Sequence, residues 1–154
     1  MSLYLRRATM DDMDLLFKWA NNPDVRKNAF NTEPIPYENH VAWFNKMMLN
    51  NSVIQYILCE NDKELGQIRL NIENKAGVIS YSVDESFRGK GFGTKMLAMI
   101  EEIIVLKKIQ VSTLIGQVKY ENKASAKAFV KNGYKRQNVD GFIEFSKIIE
   151  GIHN

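Results

Sequence analysis

Residues 88–94 read Arg-Gly-Lys-Gly-Phe-Gly-Thr, and this glycine-rich stretch decides the fold. It follows an alternating run over 78–83 that predicts a strand, and the apolar spacing after it predicts a helix. A glycine-rich turn that opens a helix presents unpaired backbone N–H groups and the positive end of the helix dipole. The stretch therefore predicts a site for a phosphate or pyrophosphate.

The spacing of these glycines excludes two familiar phosphate loops. A Walker A loop requires G-x-x-x-x-G-K-[ST], which the sequence does not contain. A Rossmann turn requires G-x-G-x-x-G, but the last position is Thr94 when counted from Gly89 and Met96 when counted from Gly91. An ordinary glycine-rich hairpin turn remains the alternative at this point.

Bulk composition predicts one soluble globular domain over residues 1–154. Apolar residues make up 45% and charged residues 25% of the chain, and both values are ordinary. The net charge of +3 favours a small polyanionic ligand and is too mild for a nucleic-acid-binding protein. No apolar run approaches 18 residues and the N-terminal residues do not show the apolar core of a signal peptide, so we expect a cytoplasmic protein without membrane contact. The single cysteine, Cys59, excludes an internal disulfide and predicts a small buried side chain and no metal cluster.

The periodicity predicts the element order β-α-α-β-β-β-α-β-α-β-β. Thr9 and Asp12 resemble a capping box for a helix that Asn21-Asn22-Pro23 ends, and a polar segment leads on to Pro36. Asp140-Gly141 is a strong hairpin signal. The predicted strands cover 4–8, 53–59, 65–72, 78–83, 111–118, 134–139 and 142–148, and the helices 13–20, 37–48, 93–108 and 122–132. This order predicts an α+β fold, a mixed, mostly antiparallel sheet of about seven strands with four helices on both faces.

Two motifs carry a resemblance to a known family. The spacing Arg-x-x-Gly-x-Gly over 88–93 resembles the acetyl-CoA pyrophosphate loop of the GCN5-related N-acetyltransferases, the GNAT family. Asn122 and Ser125, followed by Gly133-Tyr134, are similar to that family's Asn-x-x-Ala/Ser … Gly-Phe/Tyr segment. With the element order, the resemblance covers nearly the whole chain. It implies the GNAT fold, with splayed fourth and fifth strands, and an acetyl-CoA-dependent N-acetyltransferase.

The resemblance also implies where acetyl-CoA binds as co-substrate. The pantetheine arm would pair with the strand edge over 81–83 as an added strand does, and the loop amides would hold the pyrophosphate. The N–H of Val83 or Asp84 would polarise the thioester carbonyl. The implied acetyl-CoA-binding residues are Val83, Arg88, Gly89, Lys90, Gly91, Phe92, Gly93, Thr94, Asn122 and Ser125.

Proton transfer departs from the family pattern at both usual positions. The family tyrosine seven residues after the motif asparagine is Phe129 here, and the glutamate five residues before it is Gln117. Phenylalanine cannot donate a proton, and glutamine is no base near neutral pH. The candidate catalytic residues are therefore Tyr81, Gln117 and Tyr120, with Glu73 and Tyr134 as further proton-transfer candidates. Water and proximity alone are the alternative.

The N-terminal half resembles the branch that acetylates nucleotide-linked aminosugars, notably in the pseudaminic-acid pathway. The resemblance rests on Trp19-x-Asn21-Asn22-x-x-Val25-Arg26, His40-x-x-Trp43-Phe44 and the stretches 66–69 and 79–82. It implies an acceptor site in which Arg26 and Arg69 pair with phosphate. Asn22 and Gln67 would bind sugar hydroxyls. Trp43, Phe30 or Tyr37 could offer a flat face to a ring. Tryptophans such as Trp19 and Trp43 are, however, more often core residues. We expect His40 to be a polar residue at the surface.

Two other functions remain open. Protein or peptide N-acetylation of the ribosomal-protein type fits the N-terminal pattern more loosely. A non-catalytic acyl-CoA-binding sensor draws support from Phe129 and Gln117. A closed pocket around Arg26, Arg69 and an aromatic ring would favour the aminosugar, whereas an open groove would favour a peptide. In each case we expect a monomer or homodimer without a nucleic-acid partner.

Overall fold

The computed structural model describes residues 2–149 and contains one seven-stranded sheet in the order β1-β2-β3-β4-β5-β7-β6. Met1 and residues 150–154, which the predicted domain includes, lie outside the described residues. The strands are β1 (Leu3–Arg7), β2 (Val53–Glu60), β3 (Lys63–Glu73), β4 (Ala76–Val83), β5 (Thr113–Val118), β6 (Lys135–Val139) and β7 (Phe142–Ile148). The α-helices are α1 (Met13–Ala20), α2 (Pro23–Asn28), α3 (Tyr37–Met48), α4 (Phe92–Leu106) and α5 (Lys123–Lys131). The predicted α+β class is confirmed.

The sheet is antiparallel except at its centre, where β4 and β5 run parallel. These two strands pair only between Ala76–Ile79 and Thr113–Gly116. Beyond that point β4 continues to Val83 on the β3 side, and β5 continues to Val118 on the β7 side. The strands therefore separate at their carboxyl ends, as the family resemblance implied. The gap leaves one edge of β4 open toward the glycine loop.

Helices cover both faces of the sheet because successive side chains of its strands point to opposite faces. On β2, Tyr56 and Leu58 belong to the core that α4 and α5 cover. Ile57 and Cys59 belong to the core that α1 and α3 cover. Cys59 is 2% exposed, which confirms the prediction of a small buried side chain.

Residues 2–149 contain five α-helices instead of the predicted four, because α2 forms within the polar segment that leads on to Pro36. Asn22 caps this short helix through its side-chain oxygen, which accepts from the N–H of Asp24. Pro23 occupies the first helical position, where its missing N–H costs nothing. Asn-Asn-Pro was interpreted only as the end of α1, but the same residues also start α2.

Two predictions about the first helices have opposite outcomes. The capping box is present, since Thr9 accepts from the Asp11 N–H and Asp12 accepts from the Thr9 N–H. The expectation that His40 lies at the surface is wrong. His40 is 4% exposed, and its Nε2 lies 2.8 Å from the Met13 carbonyl oxygen. A carbonyl partner at the end of its ring explains why a histidine can be buried here.

Gly116 of β5 allows the close packing of α5 against the sheet. A Cβ at this position would lie 2.2 Å from Cζ of Phe129, a ring that is itself 2% exposed. The ring cannot withdraw, because it stacks on Phe145 at 5.1 Å and meets Tyr134 at 4.9 Å.

We therefore expect Gly116→Ala to lower the free energy of unfolding by about 1–3 kcal/mol, the usual cost of overpacking a core. Chemical denaturation measures this change. A second substitution, Phe129→Leu, is expected to restore part of the loss by freeing space for the new methyl group. An unchanged denaturation midpoint in the single variant would contradict this account of the packing.

Candidate active site

The glycine loop leads from the open end of β4 into α4. Gly89 and Gly91 have φ values of +78° and +83°, which glycine adopts without strain. Gly91 precedes the first residue of α4, and no side chain caps this helix. The first N–H groups of α4 therefore keep their hydrogen-bonding capacity for a ligand. The helix dipole adds positive potential at the same place.

The loop also leaves space for a ligand to approach its backbone. A Cβ built on Gly89 or Gly91 would meet no atom within 4 Å. Gly93 serves a different purpose, because its Cβ would lie 3.0 Å from the ring of Tyr81. The first two glycines thus keep the loop open, and the third allows β4 and α4 to approach each other.

One of the two candidate N–H donors at the end of β4 is already occupied. The Asp84 N–H donates to the Leu65 carbonyl at 2.8 Å, which makes these residues a hydrogen-bonded pair of the antiparallel ladder. Such pairs alternate along the ladder, so Val83 turns its N–H away from β3 and toward the gap. Of the two candidates, only Val83 offers a free donor.

Arg88 and Lys90 lie beside the loop but differ in how their charges are used. Arg88 donates to the Val83 carbonyl at 3.0 Å, to Asp24 at 2.9 Å and to Asn22 at 3.2 Å. Its guanidinium thus joins α2 to the loop, and these partners already use much of the charge that the sequence assigned to the acetyl-CoA site. Lys90 is exposed, with its ammonium group 5.9 Å from the ring centre of Phe87. Lys90 therefore supplies the freer positive charge.

Tyr81 and Ser125 meet behind the gap, on the face of the sheet covered by α4 and α5. The Tyr81 hydroxyl lies 2.9 Å from Oγ of Ser125. Ser125 belongs to the first turn of α5, where its N–H donates to the capping oxygen of Asn122 at 3.3 Å. Burial raises the pKa of Tyr81 above its ordinary value, so the phenol stays protonated at neutral pH.

The other proton-transfer candidates do not gather around Tyr81. Gln117 is exposed on β5, on the opposite face from its neighbours Gly116 and Val118. The Tyr120 hydroxyl donates to the Val139 carbonyl at 2.6 Å. Glu73 pairs with Ala76 at the far end of the β3–β4 hairpin. Tyr134 is buried against Phe129. Among these candidates, Tyr81 lies in the part of β4 that borders the gap, and its hydroxyl contacts Ser125 at the start of α5.

A pocket of about 460 Å³ lies on the other face of the sheet, between the strands and the first three helices. Its floor comes from β2, β3 and β4, which contribute Gln55, Gln67, Arg69, Ser80 and Ser82. Its wall includes Arg26, His40 and Trp43. Three of the four predicted acceptor-site residues, Arg26, Gln67 and Arg69, therefore line one pocket. Asn22 does not, because it caps α2 and also donates to Glu85 at 3.0 Å.

A chain of polar side chains crosses the pocket floor toward the gap. Gln55 Nε2 donates to Gln67 Oε1 at 2.7 Å, and Gln67 Nε2 donates to Ser82 Oγ at 3.1 Å. Gln55 is 2% exposed, and its Oε1 has no hydrogen-bond partner among residues 2–149. Gln55 is a pocket residue that was not predicted from the sequence. The available signal was a single polar side chain within an otherwise apolar strand, Val53 to Cys59.

The two arginines of the pocket have different partners. Arg26 donates to three main-chain carbonyls, those of Ala20, Asn31 and Glu33, at 2.7–3.2 Å. Arg69 has one side-chain acceptor, Asn71 Oδ1 at 3.3 Å, and its guanidinium lies 5.0 Å from the ring centre of Trp43. Burial lowers the pKa of both guanidinium groups. Arg26 therefore holds the loop after α2, whereas Arg69 keeps donors free for a ligand.

Two contacts join the α2 segment to the strands beyond the gap. Phe30, in the loop after α2, packs edge-to-face against Phe142 at 5.5 Å. Lys119, just after β5, donates to the Lys27 carbonyl at 3.0 Å. Both contacts lie between the loop region after α1 and the β6–β7 side of the sheet, across the groove that a peptide substrate would need.

The open loop at the N-terminus of α4 and the polar pocket across the sheet both border the end of β4, where β4 and β5 part. Such an arrangement suits a transferase that brings two substrates together. The model of the acetyltransferase (GNAT) domain matches residues 2–135. The chain therefore belongs to the GNAT family, and its domain is that of an acetyl-CoA-dependent N-acetyltransferase. The predicted family, class of enzyme and acetyl donor are confirmed.

A curated relative is an uncharacterized protein of Methanocaldococcus jannaschii, which is 26% identical over 142 residues. The match covers 87% of this chain but only 28% of the relative's length.

Solved structures similar to this chain share its fold. A spermidine N-acetyltransferase from Vibrio cholerae, in complex with CoA and spermine, superposes with a TM-score of 0.85 at 15% identity, covering 99% of this chain and 98% of its own. A ribosomal L7/L12 α-N-protein acetyltransferase in complex with CoA gives 0.83 at 18% identity, covering 97% and 96%. An aminoglycoside acetyltransferase in complex with CoA and kanamycin gives 0.79 at 19% identity, covering 96% and 95%.

Among residues 2–149 no group of three or more histidine, cysteine, aspartate or glutamate side chains is placed to hold a metal ion. Within the same residues, no helix has the length and apolar character needed to cross a membrane.

Proposed function

We propose that the protein transfers an acetyl group from acetyl-CoA to a primary amine of a small molecule, best matched by a nucleotide-linked amino-deoxy sugar. The amine attacks the thioester directly in a ternary complex. The pocket that brings Arg26, Arg69 and Trp43 together carries this proposal. Two guanidinium groups beside an aromatic ring favour an aminosugar nucleotide over a peptide.

The loop and the gap fit the acetyl-CoA substrate. Free N–H groups at Phe92, Gly93 and Thr94 are available to the pyrophosphate, with Lys90 beside them. Gly89 and Gly91 leave the backbone open to it. The exposed edge of β4 at Tyr81–Val83 is available to the pantetheine amides as an added strand would be. Asn122 and Ser125 complete this site from the α5 side.

The reaction needs a polarised carbonyl, a neutral amine and a stable leaving group. The Val83 N–H, turned toward the gap, donates to the thioester oxygen as negative charge develops on it. The neutral amine forms the new C–N bond while the C–S bond breaks. Tyr81 donates its proton to the leaving thiolate, and Ser125 holds the Tyr81 hydroxyl. Gln117 and Tyr120 have positioning roles at most. Water removes the proton of the attacking amine.

The acceptor pocket supports a small molecule of mixed character. Trp43 and Arg69 offer an aromatic face and a cation for a phosphate-bearing ring system. The amides of Gln55 and Gln67 and the hydroxyls of Ser80 and Ser82 suit a sugar. An aminoglycoside acetyltransferase and a spermidine acetyltransferase share this fold, so the fold accommodates small amines of several kinds.

Peptide acetylation is the second enzymatic candidate, and the fold of a ribosomal-protein acetyltransferase favours it. The contact of Phe30 with Phe142 weighs against it, because it crosses the groove that a peptide would need. The remaining alternative, a non-catalytic acyl-CoA sensor, drew its support from Phe129 and Gln117. Tyr81 offers a proton donor that does not depend on either position.

Thiol release from acetyl-CoA over a panel of acceptors tests the proposal. The panel contains nucleotide-linked amino-deoxy sugars, a serine-initiated peptide and a lysine peptide. We expect release with the aminosugar nucleotide and a kcat/KM at least about tenfold higher than with either peptide, since the contact of Phe30 with Phe142 crosses the groove that a peptide would need. Preference for a peptide would favour the second candidate. Protection of the fold by acetyl-CoA without transfer to any amine would favour the sensor.

A further inference from the structure

Two polar groups of the acceptor pocket have unmet interactions, and both belong to residues that line it. We propose that the acceptor is an oxyanion-bearing amine: its phosphate or carboxylate pairs with Arg69, and one of its N–H or O–H groups donates to Gln55 Oε1. The inference rests on the proposed function, because it concerns the acceptor of the same reaction. It names the residues that select that acceptor and the amines that they reject.

Arg69 is a cation without a counter-charge. Among residues 2–149 no carboxylate lies within ion-pair distance of its guanidinium, whereas Arg6, Arg88 and Lys147 each have such a partner. Its terminal nitrogens make no hydrogen bond to these residues, and the guanidinium is held over Trp43. A partly desolvated guanidinium with free paired donors is suited to bidentate binding of an oxyanion.

Gln55 supplies an unpaired acceptor on the same floor. Its amide nitrogen is committed to Gln67 Oε1 at 2.7 Å, and it also contacts the Ile68 carbonyl at 3.3 Å. These contacts orient the amide, so Oε1 stands unpaired in a residue that lines the pocket. A buried acceptor without a partner costs free energy until a ligand donates to it. An amine or hydroxyl hydrogen of the acceptor would meet that requirement.

The strand register places Gln55 and Arg69 side by side on the pocket floor. Gln55 pairs with Arg69 across β2 and β3. Arg69 pairs with Ser80 across β3 and β4, and Gln67 pairs with Ser82 one side-chain repeat nearer the gap. One repeat along a strand is about 7 Å. An amine that reaches the gap beside Ser82 therefore leaves its oxyanion at Arg69, roughly 7 Å or more behind it.

The charge inventory of the pocket opposes polycationic amines. Its titratable lining residues are Arg26, Arg69, His40 and Glu33. Glu33 is exposed in the loop after α2, so the floor itself carries no carboxylate. A polyamine or an aminoglycoside would bring further positive charges against two guanidinium groups, and like charges at close range are costly. This chain shares the fold of the spermidine and aminoglycoside acetyltransferases, but the charges of its pocket do not suit their polycationic substrates.

Binding of an anionic probe to the full chain tests the inference independently of catalysis. A nucleoside diphosphate and a dicarboxylic acid are titrated by calorimetry into the acetyl-CoA-saturated protein, and each arm reports one source of the oxyanion. Arg69→Gln is compared with Arg136→Gln, which removes the same charge from the exposed strand β6. We expect Arg69→Gln to weaken binding of the preferred probe about 10- to 100-fold. Arg136→Gln should leave its affinity within about twofold.

The second readout is the rate of acetyl transfer to three kinds of acceptor. These are the polycations spermidine and kanamycin, a neutral aminosugar and an anionic aminosugar. The anionic acceptor should be the best substrate. Arg69→Gln should raise its KM while leaving the neutral sugar's KM within about twofold, because only the charged group has lost a partner. Failure of both anions to bind, or preference for spermidine or kanamycin, would overturn the inference even if transfer occurs. Anion binding that depends on Arg69, without transfer to any amine, would instead overturn the proposed function.

Discussion

Replacement of Gly91 by tryptophan is expected to abolish measurable acetyl-CoA binding while the chain still folds. The φ of +83° at this position makes any side chain strained by about 1–2 kcal/mol, which a folded domain can tolerate. The open space around its Cβ would then be filled by the indole ring. That ring would stand where the pyrophosphate must approach the first N–H groups of α4.

A thermal-shift titration measures this prediction. Acetyl-CoA at about 100 times its Kd should stabilise the wild-type protein by about 2.7 kcal/mol, and Gly91→Trp should lose nearly all of this stabilisation. Gly141→Trp is the matched control. Gly141 has a φ of +91° and equally open surroundings, but it lies in the β6–β7 turn. Equal protection of both variants would show that the loop does not bind acetyl-CoA.

Replacement of Tyr81 by phenylalanine is expected to lower kcat about 100-fold with little change in acetyl-CoA affinity. The ring would keep its packing beside Gly93 and Phe129, since only the hydroxyl is removed. Without that hydroxyl the thiolate would leave unprotonated, and general acid catalysis typically contributes a factor of this size. Single-turnover acetyl transfer in the wild type and the variant measures the loss.

Ser125→Ala and the pH dependence separate proton donation from packing. Ser125→Ala breaks the same hydrogen bond but keeps the Tyr81 phenol, so its loss in kcat should be at most about tenfold. Burial raises the pKa of Tyr81, so the phenol stays protonated below its ordinary value of about 10. The wild-type kcat should therefore show no loss of an essential acid below that pH. Equal defects in both variants would contradict Tyr81 as the proton donor.

The sequence predicted the sheet and the loop well because those features depend on local patterns. The seven strands followed from period-two alternation and turn residues, and the loop conformation followed from glycines that must adopt positive φ. The short helix α2 was missed, because six residues carry too little periodicity to be recognised. Its signal lay in the cap, Asn22 followed by Pro23, which also looked like a helix end.

The acceptor pocket was harder to predict because its members are joined only by the tertiary fold. The sequence predicted the same role, phosphate binding, for Arg26 and Arg69. In the structure Arg26 donates to three main-chain carbonyls, whereas Arg69 makes no such bonds. Asn22 was assigned to the acceptor, but it caps α2 and binds Arg88. Gln55 went unnoticed, because no pattern in one strand reveals that its side-chain oxygen lacks a partner.

The central claim is that acetyl-CoA in the gap and an anionic amine in the pocket react with each other. Its most direct test is to measure steady-state thiol release with acetyl-CoA and a nucleotide-linked amino-deoxy sugar. The mass of the sugar product is then measured by mass spectrometry. The account predicts release that depends on both substrates, together with a product heavier by one acetyl group on its amine. Transfer to spermidine, kanamycin or a peptide, with none to the anionic sugar, would contradict it.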